Sequence, residues 1–73
     1  MQSKLTIEIT WNDDVREDHK EQLEVAGMER AFEMMADGYS SGELNADLEY
    51  QTKSGRTKEI NYRGWWSRTI EQI

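Results

Sequence analysis

Residues 44–66, LNADLEYQTKSGRTKEINYRGWW, decide the fold. Ahead of Ser54-Gly55-Arg56, Leu44, Ala46, Leu48 and Tyr50 alternate with Asn45, Asp47, Glu49 and Gln51; beyond it Ile60, Tyr62 and Trp66 resume the alternation. Successive side chains of a strand point to opposite faces, so two such runs around a glycine turn predict an antiparallel hairpin, with strands over about 43–53 and 57–70. A register centred on Gly55 sets Tyr50 opposite Ile60, Leu48 opposite Tyr62, Leu44 opposite Trp66 and Ala46 opposite Gly64. On the other face it sets Asp47 opposite Arg63 and Asn45 opposite Trp65. A slip of one residue would turn one strand's apolar set toward water.

Upstream, Leu5, Ile7, Ile9 and Trp11 alternate with Thr6, Glu8 and Thr10, which predicts a half-buried strand over about 4–11. Asn12, Asp13 and Asp14 then offer capping or turn side chains, and a helix is expected over about 15–37. Its start lies between Asp13 and Glu24, because Val15–Glu21 is nearly all polar and suits either a solvated first turn or a capped loop. At 100° per residue, Met28, Phe32, Met35 and Ala36 fall on one arc, with Val25 and Ala31 at its margins and Leu23 and Met34 elsewhere. That arc is the expected core face. Gly38 ends the helix by accepting a left-handed backbone.

The order β-α-β-β predicts an α+β fold: a three-stranded, mostly antiparallel sheet with one helix packed on one face. The first two strands flank the third, which runs against both. Residues 1–73 form one small domain.

The chain carries 9 basic and 15 acidic residues, one His, no Cys and no Pro, for a net charge of −6. A chain this short rarely draws more than about 3–5 kcal/mol from its core, and so offers little room for a deep substrate cavity. The lack of Cys excludes disulfides, thiolate metal sites and iron–sulfur clusters, and points to a cytoplasmic protein. The opening MQSKLTIEIT has neither a signal-peptide core nor a membrane span. The acidic balance argues against direct contact with nucleic acid, whose phosphates are neutralised by Lys and Arg. No catalytic residue, cofactor or metal is expected. His19, the only histidine, sits in a polar stretch without a second ligand at metal-binding spacing, and reads as a solvated helix-surface residue. The GYSSG loop follows a helix instead of opening one, so it reads as helix stop and hairpin lead-in rather than a phosphate cradle.

Two features suggest a protein partner. Asp13, Asp14, Glu17, Asp18, Glu21 and Glu24 form an acidic run in which Glu17, Glu21 and Glu24 share a helical side, where like charges repel. A solvated surface accounts for such a run; the sharper reading is a carboxylate decoy offered to a basic nucleic-acid groove on another protein. Trp65 falls on the sheet face away from the helix, where it would anchor an interface. The alternative is a bulge at Gly64 that turns both Trp65 and Trp66 inward.

The opening strand, the amphipathic helix closing with ADGYSSGEL and the terminal hairpin carrying YRGWWS together resemble a group of small uncharacterised proteins of tailed bacteriophages and prophages. The matching positions are Gly38, Tyr39, Ser41, Gly42, Leu44, Gly64, Trp65 and Trp66, and the similarity spans about Leu5–Thr69. This chain has a longer hairpin and a more acidic approach to its helix. The resemblance carries no catalytic residues. It implies a small phage accessory protein in a bacterial cytoplasm, and that context favours, by class rather than by site, a non-enzymatic protein that binds and inhibits a host protein such as a CRISPR or restriction nuclease. The alternative is a homodimeric accessory protein with no inhibitory role.

Overall fold

The computed structural model describes residues Met1–Ile73. Strands run over Ser3–Trp11 (β1), Ser41–Gln51 (β2) and Thr57–Gln72 (β3), and a helix over Lys20–Ala36 (α1) follows a 3₁₀ turn at Glu17–His19. The sheet order is β1-β3-β2 with β3 antiparallel to both neighbours. This is the expected α+β fold, a three-stranded sheet with one helix on one face.

The hairpin register is not the one centred on Gly55. Leu48 pairs with Ile60, Ala46 with Tyr62, Leu44 with Gly64 and Gly42 with Trp66, while Tyr50 lies opposite Lys58. The turn explains the shift. Gly55 N–H donates to the Thr52 carbonyl and Thr52 N–H to the Arg56 carbonyl, and Gly55 has φ +83°. A three-residue hairpin loop puts its left-handed residue last, so Gly55 closes the loop Lys53-Ser54-Gly55 and the hairpin centres on Ser54. Because the offset is two residues, every side chain keeps its face. The charge pair of Asp47 with Arg63 does not form: Asn45 lies opposite Arg63 and Asp47 opposite Asn61, whose Nδ2 donates to Asp47 at 2.7 Å and also to Asn45.

β1 pairs with β3 over Gly64–Gln72 and β2 pairs with β3 over Thr57–Ser67, so three strands lie side by side only across Gly64–Ser67. Beyond that centre the sheet continues at each end as a two-stranded ribbon. The molecule is correspondingly long, 57 × 21 × 16 Å, with a radius of gyration of 15.2 Å.

The helix is rotated relative to the expected core arc. Leu23 is 1% exposed, Gly27 and Ala31 are buried, and Met34 and Met35 pack on Ala31, Leu44 and Trp66. Val25, Met28 and Phe32 are exposed, and so is Ala36. Small residues explain the rotation. Gly27 and Ala31, one helical step of four apart, let the backbone approach the sheet until Ile9 and Trp11 stand against Gly27. A face led by Met28 and Phe32 would have held the helix farther off the broad indole of Trp66. The Trp66 Nε1–H donates to Met34 Sδ at 3.0 Å, which further fixes Met34 inward.

The helix also starts later than residue 15. Asp13–Arg16 is irregular chain, and neither the 3₁₀ turn nor α1 has a side-chain cap. Buried side chains set the start instead, as described below. At the other end Gly38 takes φ +96° and Tyr39 N–H donates back to the Met34 carbonyl, the expected left-handed stop.

Candidate functional site

His19 is 2% exposed and belongs to the interior, contrary to its reading as a surface residue. Its Nε2 lies 3.0 Å from the Glu49 carbonyl and its Nδ1 lies 2.9 Å from the Tyr62 hydroxyl. A carbonyl only accepts, so Nε2 carries a proton, and in the neutral ring Nδ1 accepts the Tyr62 O–H. Tyr62 in turn accepts the Arg16 N–H at 3.3 Å. The ring packs edge-on against Tyr50 and Tyr62. The Arg16 guanidinium lies 4.1 Å from the Tyr50 ring centre and holds Asp18 through Nε and Nη2. Both ring nitrogens of His19 and the Tyr62 hydroxyl are thus satisfied, and the cluster pins the helix N-terminus to the hairpin. Hydrogen bonding to Arg16 keeps the Asp18 carboxyl below its ordinary range. The sequence signal that could have placed His19 inward is its spacing, four residues before Leu23, eight before Gly27 and twelve before Ala31.

The acidic residues expected to bind a partner are all exposed, and the structure divides them. Asp13 and Asp14 lie in the chain between β1 and the 3₁₀ turn. Asp18 is paired with Arg16, and Glu17 with Lys20 at 2.8 Å. Glu21 leans to the β2 flank of α1, where with Asp18 and Glu29 it rims a shelf of about 530 Å³ floored by Val25, Ala26 and Leu48. Glu24 leans to the β1 flank, where it borders a groove of about 220 Å³ formed by Ile7, Ile9, Met28, Ala31 and Phe32. Asp13, Asp14, Glu21, Glu24 and Glu29 make no ion pair.

Trp65 is 49% exposed and points away from the helix. The ladder is regular through Thr10↔Trp65 and Glu43↔Trp65, so Gly64 starts no bulge and only Trp66 turns inward. Asn12, Glu43, Asn45 and Arg63 surround a hollow beside Trp65. Trp65 and the helix carboxylates stand on opposite faces of the sheet and do not share one contact surface.

The β1-flank groove is not legible in the sequence, where Met28 and Phe32 read as core, and nothing in the sequence sets Glu29 apart from the other exposed carboxylates. No group of three His, Cys, Asp or Glu side chains is placed to hold a metal ion. No helix is long and apolar enough to cross a membrane. Comparison with protein-family models, with curated proteins and with solved structures gives no significant match in any of the three.

Proposed function

We propose that this chain is a non-enzymatic binding protein, a phage-type accessory protein that inhibits a host nucleic-acid-handling defence protein in the bacterial cytoplasm. The observation that carries this reading is the shelf on the β2 flank, whose rim holds Glu21 and Glu29 without cationic partners above the apolar floor of Val25, Ala26 and Leu48. Asp13 and Asp14, also without cationic partners, extend the negative charge beyond the N-terminus of the helix. A basic element that normally meets phosphates finds carboxylates at similar charge density, with apolar contact beneath to add affinity. The bacteriophage context comes from the sequence resemblance alone, and supports the choice of a defence nuclease as partner.

The test is affinity capture from a bacterial lysate with the wild-type chain and a Glu21→Lys/Glu29→Lys variant as paired baits. Both substitutions are on exposed side chains, so circular dichroism should show equal folding. The reading expects a nucleic-acid-handling protein enriched by the wild type and lost from the variant. Equal recovery by both baits would remove the acidic shelf from the account.

A further inference from the structure

We infer that the β1-flank groove is the contact surface for a second copy of this chain, in a two-fold dimer that sets Glu24 of each copy against Arg68 of the other. The argument starts from area. The chain exposes 5870 Å², whereas a compact monomer of its mass would expose about 4,700 Å². The surplus, about 1,200 Å², exceeds the roughly 800 Å² that each partner gives up in a standard interface. The radius of gyration points the same way: 15.2 Å, against about 11 Å for a compact chain of this length.

Four of the nine exposed large apolar side chains line one side of the molecule. Met28 and Phe32 are 42% and 50% exposed, and Leu5 and Ile70 are 54% and 57% exposed. Leu5 pairs with Ile70, Ile7 with Arg68 and Ile9 with Trp66, all on the sheet face that bears the helix. The helix packs chiefly against β2 and meets β1 only at Ile9 and Trp11, so the β1–β3 ribbon beyond them is left uncovered on this face. Groove and ribbon together form a continuous apolar strip.

Charge then selects the occupant. Arg68 lies within the strip, opposite Ile7, and its Nε is buried without a hydrogen-bond partner. Arg68 also makes no ion pair, and a partly buried guanidinium is costly until a carboxylate is brought to its remaining N–H groups. α1 runs in the same direction as β3, since His19 at its start bonds Tyr62 and Met34 near its end bonds Trp66. Along the molecule the strip therefore reads Glu24, then Met28 and Phe32, then Arg68 and Ile70. An isologous contact reverses one copy against the other, so the acidic end of each strip meets the basic end of its mate while the apolar centres face each other. The same chain supplies both halves of the complementarity. The β2-flank shelf stays open in this arrangement, so the dimer and the inhibitor reading stand or fall separately.

Sedimentation velocity over the micromolar to millimolar range tests the inference. The wild type should approach twice the 8.6 kDa chain mass, and Phe32→Glu should remain at the chain mass with an unchanged circular dichroism spectrum. Arg68→Glu and Glu24→Arg should each weaken association by roughly a hundredfold or more, since each breaks both symmetry-related charge pairs, and their combination should restore it. That restoration is a result that misfolding cannot produce. A wild type that stays monomeric at millimolar concentration would overturn the inference. So would a dimer indifferent to Phe32→Glu, or one dispersed by Trp65→Ala on the opposite face.

Discussion

His19 shows how one side chain can set the boundary of an element. With two ring nitrogens bonded, one to a hairpin carbonyl and one to Tyr62, it fixes where irregular chain becomes helix, a task that a cap would otherwise perform. Tyr62 is the hub, donating to His19 and accepting from Arg16. Replacing it with Phe keeps the ring and strands the Nδ1 of a buried imidazole, so urea unfolding of Tyr62→Phe should report a loss of about 1–3 kcal/mol. No such loss would mean that the hydroxyl bonds contribute nothing. This cluster was hidden in the sequence for a physical reason. Val15–Glu21 is nearly all polar, and the partners that bury His19 lie 30 and 43 positions away, so only its helical spacing from Leu23, Gly27 and Ala31 points inward. The exposed Trp65 was legible, because alternation along β3 assigns it to the face opposite Trp66.

At the scale of elements, the order β-α-β-β, the three strands and the central place of β3 could all be read from alternation and turn residues, since period-two patterning survives any shift of two in register. The register itself is not readable from side-chain pairing alone, because both registers keep every side chain on its face and the observed one sets Tyr50 opposite Lys58 rather than Ile60. It was settled by the left-handed residue at the end of the loop. Apolar size does not pick out the buried helix face, because close approach to the sheet is set by Gly27 and Ala31. The two glycines that bring β1 against its neighbours should therefore respond differently to a methyl group. Gly27→Ala gains about 1 kcal/mol of helix propensity, and its Cβ would meet the movable side chains of Ile9 and Trp11 at 3.3 Å. Its stability should stay within about 1 kcal/mol of wild type by urea unfolding. In Gly64→Ala the Cβ would meet the Thr10 carbonyl oxygen and the Trp11 ring, so β1 must part from β3 and about 1–3 kcal/mol or more should be lost. Equal effects at the two positions would contradict the packing described for α1 and β1.

At the scale of the whole molecule, a net charge of −6 is distributed over an elongated body whose fully buried hydrophobic residues are only Leu23, Ala31, Leu44, Tyr62 and Trp66. So small a core leaves much apolar surface at the flanks of the helix, and the two flanks differ in kind. The β2 flank offers apolar side chains beside unpaired carboxylates, as the proposed basic partner requires; the β1 flank offers an apolar strip with Glu24 toward one end and Arg68 toward the other, as the proposed dimer requires. The acidic run was visible in the sequence, but its division between the flanks was not, because that depends on how the helix is rotated on the sheet. The central claim is that the acidic shelf disables a bacterial nucleic-acid-handling defence. It is tested most directly by the transformation efficiency of a targeted plasmid in a panel of strains, each carrying one active restriction or CRISPR system and expressing the wild type or Glu21→Lys/Glu29→Lys. The account predicts that the wild type raises transformation in at least one strain and that the variant, folded and equally abundant, does not. No protection in any strain, or equal protection by the variant, would contradict it.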